Sequence, residues 1–320
     1  MSASTPTVLA LSGGVGGAKL ALGLAGVLPP EALHVVVNTG DDFEHLGLHI
    51  SPDIDTLLYT LSGLADPVQG WGIAGESFHT LDALARLGGE VWFKLGDRDM
   101  ATHLWRSEAL RAGKSLSQVT AELAQRLDVP INVHPMSNDA VRTTVHTSEG
   151  SLPFQHYFVR ERCEPAVTGF AFQGVEKARP NTAVMECLHS QRFTDIVICP
   201  SNPFVSIDPI LRLPGLWHAL RDAAAPVSLV SPIVAGMALK GPAAKMMSEL
   251  GVPVTALGVA QHYAEQYPGL IDWFLIDASD ATLAQSIGEL GMQVAVTSTV
   301  MKTREDKQRL ARFTLDLAGR

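Results

Sequence analysis

Short apolar runs alternate along this chain with longer segments whose apolar residues recur at helical spacing. Each run has the length of a buried strand, and turn-forming residues interrupt the chain after several of them. The runs predict strands at 8–11, 33–37, 90–95, 129–133, 196–199 and 227–230, and near Val254, Phe274 and Val294. Alternating strands and helices are typical of a doubly wound, mostly parallel sheet. The sequence therefore predicts an α/β protein with a Rossmann-like core.

The middle of the chain departs from this rhythm. Two helices are predicted within 106–127, and beyond them apolar and polar residues alternate in the manner of antiparallel strands over 141–145, 150–154 and 157–159. We therefore expect residues 1–65 and 190–320 to form the Rossmann-like nucleotide-binding core. Residues 66–189 are expected to form an inserted α+β lid or substrate region.

The first predicted strand runs directly into a glycine-rich turn, and a helix is predicted to follow. Unpaired N–H groups and the positive end of the helix dipole suit an anion at such a helix N-terminus. The predicted phosphate-binding residues of this turn are Gly13, Gly14, Gly16, Gly17 and Lys19. The spacing fits neither the dinucleotide fingerprint, which needs glycine where Lys19 stands, nor the Walker loop, which needs glycine at Ala18. A tight turn without ligand is the alternative.

Two pairs of aspartates follow the glycine turn. Asp41 and Asp42 stand at the carboxyl end of the second predicted strand, where ligands of open parallel sheets bind. Asp53 and Asp55 lie in a segment that suits a helix start. The Pro-Ser-Asn-Pro loop at 200–203 also follows a strand and is expected to border the same crevice. Because Mg²⁺ takes one or two carboxylates together with phosphate oxygens, these features favour a Mg²⁺-bridged diphosphate over ordinary turn and capping chemistry.

The charged segment 94–103 allows two interpretations. In the first, Asp97 caps the helix that follows, and Asp99 pairs with His103 one turn later on the surface. In the second, Arg98 binds phosphate and Lys94 faces the pocket. The spacing alone supports both equally.

Composition and charge exclude several classes of protein. A net charge of -9 argues against a nucleic-acid binder with a broad basic face, so an anionic ligand must be held locally. The N-terminus lacks a basic region followed by an apolar run, and no apolar stretch is long enough to span a bilayer, so we expect a cytoplasmic protein without a membrane partner. Cys163, Cys187 and Cys199 are far apart, which predicts neither a disulfide framework nor a thiolate metal site.

The chain also carries a series of separated motifs. They are SGGVGGAKL at 12–20, VVNTGDDF at 36–43, SPDIDTLLYTLSG at 51–63, WGI at 71–73, LGDRDMATH at 95–103, PMSND at 135–139, PSNPFVSIDPIL at 200–211 and SPIVAGMALKGPAAKMM at 231–247. Together, and in this order, the motifs resemble one family, the 2-phospho-L-lactate transferases of deazaflavin coenzyme biosynthesis, known as CofD in archaea and FbiA in actinobacteria. The resemblance covers nearly the whole chain.

This resemblance implies a soluble, Mg²⁺-dependent transferase, usually a homodimer, with a Rossmann-like core and an inserted region. Members of the family join a phosphorylated three-carbon acid, carried as a guanosine diphosphate ester, to the ribityl hydroxyl of the 8-hydroxy-5-deazaflavin Fo. GMP leaves, and a phosphodiester precursor of coenzyme F-420 forms. The transferred acid stays open between phospholactate, phosphoenolpyruvate and phosphoglycerate.

By motif position, the resemblance also assigns roles to individual residues. Asp41 and Asp55 would be the Mg²⁺ ligands, and Asp55 and Lys94 would contact Fo. The glycine turn would hold the guanosine phosphates together with Ser201 and Asn202. The implied catalytic residues are Asp41, Asp55, Lys94 and Arg98. The candidates for a general base are Asp42, Asp53 and His103.

Two other functions are compatible with the sequence. A nucleotide-dependent oxidoreductase would account for the βαβ opening, but Lys19 and the second carboxylate pair count against it. A non-catalytic, nucleotide-sugar-binding regulator of the YvcK type would share the glycine turn and the core. Asp55 and Lys94, on the proposed Fo side, distinguish the transferase from such a regulator.

Overall fold

The chain begins with a strand, a glycine turn and a helix, as the pattern predicts. A computed structural model describes residues 6–238 and 241–317. Its first elements are β1 (Val8–Ser12), α1 (Gly14–Ala25), β2 (Leu33–Val37), the hairpin strands β3 (Phe43–His45) and β4 (Leu48–Ile50), and α2 (Pro52–Leu61). Three helices, α3 (His79–Arg86), α4 (Asp97–Arg111) and α5 (Leu116–Arg126), then lead to β5 (Asn132–Pro135).

An antiparallel unit follows and then the α/β rhythm returns. The unit consists of β6 (Arg142–Thr147), β7 (Gly150–Pro153) and β8 (Val167–Gln173), in the order β7-β6-β8. Helix α6 (Thr182–His189) leads back to β9 (Asp195–Ile198). The remaining elements are α7 (Asp208–Leu211), α8 (Leu216–Arg221), β10 (Val227–Val230), β11 (Ile233–Val234), β12 (Met237–Ala238), α9 (Ala243–Glu249), α10 (Ala256–Gln266), β13 (Trp273–Asp277), α11 (Ala284–Gly288), β14 (Gln293–Thr297) and α12 (Arg304–Asp316).

Seven parallel strands form the central sheet in the order β14-β13-β10-β9-β1-β2-β5. The first strand lies inside the sheet, paired with β2 on one side and with β9 on the other. The chain therefore winds outward in both directions from β1, which confirms the predicted doubly wound, Rossmann-like α/β fold. At such a reversal point the carboxyl ends of neighbouring strands open a crevice for ligands.

Both faces of the sheet are buried, which explains why its strands appear as continuous apolar runs. Successive residues of β1 point to opposite faces: Leu9 and Leu11 enter one core cluster, and Val8 and Ala10 enter the other. Helices α1, α2 and α12 pack together over the second cluster. Within the described residues, no helix is both long and apolar enough to cross a lipid bilayer.

The predicted inserted region, 66–189, contributes to two sheets. The strand predicted at 129–133 forms at Asn132–Pro135 and pairs with β2, so it is the edge strand of the central sheet. The antiparallel strands of the same region form their own sheet, as predicted.

Three predicted strands are wrong. Residues 90–95 are irregular, because Trp92 and Phe93 pack their rings against Phe43 of β3 instead of joining a ladder. The third antiparallel strand is β8, and the segment His156–Arg160 forms one turn of π-helix after Pro153 ends β7. Residue Val254 lies in a loop between α9 and α10.

Candidate functional site

A cavity of about 550 Å³ opens at the carboxyl ends of β1, β2 and β9. Most of the site residues predicted from the sequence line it. They are Gly13, Gly14, Gly16, Lys19, Asp41, Asp55, Lys94, Ser201 and Asn202. The structure thus brings together the glycine turn, Asp41 of the first aspartate pair, both residues of the second pair and the Pro-Ser-Asn-Pro loop. Gly17 and Arg98 do not line the cavity.

The glycine turn is clasped by the Pro-Ser-Asn-Pro loop. Ser201 Oγ accepts a hydrogen bond from Gly13 N at 3.1 Å and donates one to Gly13 O at 2.7 Å. A Cβ atom on Gly16 would lie 2.1 Å from the carbonyl oxygen of Pro200, and one on Gly17 would lie 2.6 Å from Ser201 Oγ. Glycine is therefore required here by close approach, and Gly17 acts in packing rather than at the cavity wall.

The first turn of α1 presents a site for an anion. Helix α1 begins at Gly14, whose φ of +61° is a conformation that favours glycine. No residue of this first turn is acidic, although Asp53 of α2 accepts a hydrogen bond from Gly14 N. The N–H groups that follow Gly14 at the start of the helix have no carbonyl partner within α1. Lys19 lines the same cavity. This arrangement suits the phosphate groups of a nucleotide.

Asp53 ties the glycine turn to the end of β2. Its Oδ1 accepts a hydrogen bond from Gly14 N at 2.8 Å, and its Oδ2 accepts one from Asn38 Nδ2 at 2.9 Å. Burial raises the pKa of Asp53 to about 6, against these two hydrogen bonds. The carboxylate therefore positions the phosphate turn and lines the cavity beside it.

Asp41 is a buried carboxyl that has no ion-pair partner among the described residues. Its burial, and next the charge of Asp53, raise the pKa of Asp41 well above its ordinary value. The Oδ1 atoms of Asp41 and Asp42 are buried and accept no hydrogen bond within the described part of the chain. The other oxygen of Asp42 accepts hydrogen bonds from Ser51 Oγ and His49 Nε2. Such uncompensated carboxylates fit a bound cation, and oxygen ligands are those that Mg²⁺ prefers.

Asp55 has a different environment from Asp41, although both line the cavity. Both of its oxygens accept hydrogen bonds from the guanidinium of Arg106, which pairs with this carboxylate inside the protein. The Nδ1 atom of His103 lies 3.7 Å from Asp55 Oδ2. Of the two predicted metal ligands, Asp41 has an oxygen without a hydrogen-bond partner among the described residues, whereas both oxygens of Asp55 are engaged by Arg106.

The charged segment before α4 matches neither interpretation completely. Lys94 is exposed and lines the cavity, with Nζ 4.0 Å from the ring centroid of Phe78. Arg98 turns the other way, because its guanidinium contacts the carbonyl of Ala74 and lies 3.6 Å from Glu76. The structure therefore places Lys94 at the cavity, as predicted, and Arg98 outside it.

The capping prediction for Asp97 is wrong. Asp97 accepts hydrogen bonds from His79 N and Thr80 N, so it caps α3 rather than its own helix. The predicted pair of Asp99 and His103 does form, at 3.3 Å, but His103 is buried and the pair lies at the cavity rather than on the surface.

Aromatic side chains form the other half of the cavity wall. Trp71 is 49% exposed and Phe158 is 39% exposed at the opening, and both line the cavity. Phe158 stacks on Phe154 with ring centroids 5.5 Å apart. Phe93 and Ile50 complete this apolar wall. A flat aromatic ligand would find ring faces and apolar contacts here.

Sequence reasoning missed several residues at the site. Tyr59, Gln155 and Thr299 line the cavity, and Gln155 Nε2 donates to the backbone oxygen of Asp41 at 3.4 Å. No local pattern marks these three residues. For Arg106 a signal existed, since Asp99, His103 and Arg106 recur at helical spacing and share one face of α4.

Asp53 gives a prediction about pH. A carboxyl whose pKa is raised in the folded state favours folding below its unfolded pKa and loses that contribution as pH rises through the folded value. With a folded pKa of about 6, Asp53 should make the metal-free protein less stable at pH 7.5 than at pH 5. The free-energy difference between Asp53→Asn and the wild type should therefore grow in favour of the variant by about 1 kcal/mol over this range.

Chemical denaturation in EDTA at several pH values measures this difference. Comparing the two proteins cancels the titration of the histidines, which both of them share. A difference that stays constant with pH would show that Asp53 titrates at its ordinary value.

Comparisons with known proteins agree with this architecture over the whole chain. The model of the family described as 2-phospho-L-lactate transferase CofD matches residues 8–312. A Methanosarcina acetivorans protein named 2-phospho-L-lactate transferase is 39% identical over 310 residues, which cover 97% of this chain and 98% of that protein. A Streptomyces coelicolor protein named phosphoenolpyruvate transferase is 38% identical over 317 residues, with 97% and 98% covered.

Solved structures share the fold at low sequence identity. A crystal structure of a member of the upf0052 family from Bacillus halodurans matches with a TM-score of 0.65 and 16% identity. The match covers 98% of this chain and 99% of that one. The doubly wound sheet and its attached antiparallel unit are thus an architecture already seen in a crystal structure.

Proposed function

The chain belongs to the 2-phospho-L-lactate transferase (CofD) family and is a transferase of coenzyme F-420 biosynthesis, and on that premise we propose its reaction in detail. The proposed donor is a guanosine diphosphate ester of a phosphorylated three-carbon acid. The proposed acceptor is the ribityl hydroxyl of the deazaflavin Fo. The phospho-acid moves to the acceptor in a Mg²⁺-dependent step, and GMP leaves.

One observation carries the proposal: Asp41, whose buried Oδ1 has no hydrogen-bond partner among the described residues, lines the same cavity as the glycine turn. A phosphate site alone would fit any nucleotide binder. A phosphate site beside an uncompensated carboxylate fits a diphosphate held together with a divalent cation. When bound, Mg²⁺ would supply the charge that the diphosphate requires during transfer.

The donor fits the half of the cavity that the glycine turn forms. The N-terminus of α1 and the side chain of Lys19 would face its phosphates, and Ser201 and Asn202 border the same space. The clasp between Gly13 and Ser201 holds this half rigid before the donor binds. Hydrogen-bond donors that are already held in place need less reorganisation as charge develops on the transferred phosphate.

The acceptor fits the aromatic half. Trp71 and Phe158 offer ring faces at the opening, where a tricyclic heteroaromatic ring would stack. Lys94 lies at the same wall and would contact polar groups of the acceptor. The ribityl chain would then extend inward toward Asp41 and Asp55.

The proposed transfer forms one P–O bond and breaks another. The acceptor oxygen attacks the phosphorus that carries the three-carbon acid, the bond from that phosphorus to the bridging oxygen breaks, and GMP keeps the bridging oxygen. Asp41 and Asp55 would hold the cation, and the acceptor hydroxyl loses its proton as the new bond forms. Holding both substrates in line in one cavity supplies much of the catalysis for such a reaction. Two of the candidate bases, Asp53 and His103, line the cavity, whereas Asp42 does not.

Lys94→Ala should impair use of the acceptor more than binding of the donor. Lys94 lies at the aromatic wall and is exposed, so its loss should change the free energy of unfolding by no more than about 0.5 kcal/mol. We expect the KM for Fo to rise about tenfold, which corresponds to about 1.4 kcal/mol, while the Kd for GDP stays within twofold.

Steady-state kinetics with Fo and calorimetric titration with GDP measure these two effects. Lys177→Ala, at an exposed lysine outside the cavity, is the matched control and should change neither value. An equal loss of Fo use and GDP binding would show that Lys94 supports the whole pocket rather than contacting Fo.

The proposed reaction is tested by following GMP release with each component omitted in turn. GMP should form only when donor, Fo and Mg²⁺ are all present. Nucleotide binding without GMP release, with every donor acid supplied, would favour a non-catalytic nucleotide-binding regulator. Tight binding of NAD(H) without binding of guanine nucleotides would favour an oxidoreductase.

The proposal also includes a cytoplasmic homodimer, which the family resemblance implies. Light scattering of the purified protein should then give twice the mass of one chain. A mass equal to one chain at micromolar concentration would contradict this part of the proposal and leave the reaction itself untouched.

A further inference from the structure

Arg106 is a fully buried arginine that lies behind the cavity wall. It projects from α4, has 0% exposure and does not line the cavity. A guanidinium is removed from water at a large cost unless hydrogen bonds and an opposite charge compensate it. The groups that offset the cost of burying the Arg106 guanidinium therefore indicate its role.

The guanidinium forms a forked pair with Asp55. Nη1 donates to Asp55 Oδ2 at 3.1 Å, and Nη2 donates to Asp55 Oδ1. Nη1 also lies 3.4 Å from the backbone oxygen of His49, in β4. A planar fork on both carboxylate oxygens fixes the direction of the carboxylate, which a single contact would not do.

The same guanidinium faces His103. Nη1 lies 3.2 Å from His103 Nδ1. A guanidinium can only donate hydrogen bonds, so Nδ1 must accept and the proton of a neutral ring must be on Nε2. Nε2 lies 3.3 Å from Asp99 Oδ1, which accepts a hydrogen bond from Tyr59 Oη at 2.7 Å. This approach of Nε2 to Asp99 is not aligned as a hydrogen bond, so the contact of Nδ1 with Arg106 is what fixes the tautomer of His103.

We propose that Arg106 is a positioning residue for the transfer: it fixes the direction of Asp55 and sets the tautomer of His103. This inference rests on the proposed function for its effect on turnover, but not for the tautomer itself. Since Nδ1 of His103 is engaged by Arg106 and Nε2 carries the proton, His103 has no lone pair to offer the acceptor hydroxyl. His103 therefore does not act as the base.

A metal ion is the competing interpretation of the same cluster. Ligand atoms of Asp55, Asp99 and His103 lie within 4.8 Å of one another, which is a spacing that a metal ion accepts. Arg106, however, already engages the Nδ1 atom of His103 with a positive charge, which leaves this ring without a lone pair for a metal. The contacts are those of an ion-pair network rather than of an additional metal centre.

The tautomer is measured by ¹⁵N NMR of metal-free protein labelled at histidine. His103→Gln identifies the signal by its loss. We expect His103 of the wild type to show a protonated Nε2 and an unprotonated Nδ1. A protonated Nδ1 would overturn the proposal without any arginine variant, and ligand-type shifts on adding Zn²⁺ or Mn²⁺ would establish the metal centre instead.

Arg106→Lys then tests the positioning role, since lysine keeps the charge and loses the fork. Its matched control is Arg111→Lys on the same helix, where the exposed guanidinium donates to the carbonyl of Gly47. Arg106→Lys should move the His103 nitrogen shifts and weaken Mn²⁺ binding, measured by electron paramagnetic resonance, about tenfold. Arg111→Lys should change neither.

Kinetics give the second readout. In Arg106→Lys, kcat should fall about tenfold or more while the KM for the donor stays within about twofold, because the donor half of the cavity does not contact Arg106. Unchanged His103 shifts and unchanged kcat in a folded Arg106→Lys protein would show that Arg106 only fills space. If the wild type transfers nothing, the proposed function fails, while the tautomer and Mn²⁺ measurements still decide the role of Arg106.

Discussion

Replacing Asp41 by Asn should lower kcat at least about a hundredfold and at the same time stabilise the metal-free protein. Asp41 is buried, one of its oxygens accepts no hydrogen bond from the residues that the structure describes, and burial raises the pKa of the carboxyl well above its ordinary value. Asn has nearly the same shape as Asp but carries no charge, so the variant avoids the free-energy cost of burying a carboxylate. The same change removes the ligand that would hold the cation, and loss of charge stabilisation of this kind costs about 2.7 kcal/mol or more.

The two effects of Asp41→Asn are measured separately. Denaturation in EDTA gives the stability, and calorimetric titration with Mg²⁺ and GDP gives the metal dependence of binding. Asp195→Asn is the control, because Asp195 is also buried with a pKa raised by burial but lies at the start of β9, outside the cavity. Wild-type kcat in Asp41→Asn, or loss of activity together with loss of stability, would remove Asp41 from the role of metal ligand.

Gly16→Ala should damage both the fold and the phosphate site. A Cβ atom at this position would lie 2.1 Å from the carbonyl oxygen of Pro200. Backbone cannot rotate away as a side chain does, so the Pro-Ser-Asn-Pro loop must shift and the clasp between Gly13 and Ser201 must loosen. We expect the free energy of unfolding to fall by about 1–3 kcal/mol, as other overpacked sites do, and the Kd for GDP to rise about tenfold or more.

Gly288→Ala is a matched control for this substitution. A Cβ on Gly288, in α11, meets no atom within 4 Å, so alanine there should be neutral or slightly stabilising. Denaturation and GDP titration of both variants separate the effect of the clasp from a general effect of alanine. Gly16→Ala with wild-type stability and GDP affinity would show that the loop yields easily and that the clasp does not shape the site.

The strands of the sheet could be predicted because burial on both faces leaves a local signature. The run at 8–11 matches Val8–Ser12, and the run at 33–37 matches Leu33–Val37. The run at 90–95 carries Glu90 and Lys94 among its apolar residues, and only Leu95 of it is buried. It forms no strand, because Trp92 and Phe93 pack against Phe43 outside any ladder. Apolar residues alone therefore do not predict a strand, because the partner of a segment is decided by distant parts of the chain.

The candidate site also has a part that could be predicted from the sequence and a part that could not. The glycine turn and the aspartate pairs could be found from the sequence, since their chemistry is carried by neighbouring residues. The pairing of Asp55 with Arg106 could not, because α2 and α4 are brought together only by the fold. Arg98 shows that nearness in sequence does not place a residue in the site. It adjoins Asp99, which lines the cavity, but the turn of the helix directs its side chain to Glu76 and away from the cavity.

The proposed reaction is tested most directly by the mass of the deazaflavin product. Purified protein is incubated with Fo, Mg²⁺ and, in turn, guanosine diphosphate esters of phospholactate, phosphoenolpyruvate and phosphoglycerate. The account predicts that one donor yields Fo increased by the mass of its phospho-acid less one water, that GMP forms in equal amount, and that Asp41→Asn yields almost none. Unmodified Fo with every donor, from a protein that binds GDP and Mg²⁺, would contradict the assignment of this cavity as a transferase site.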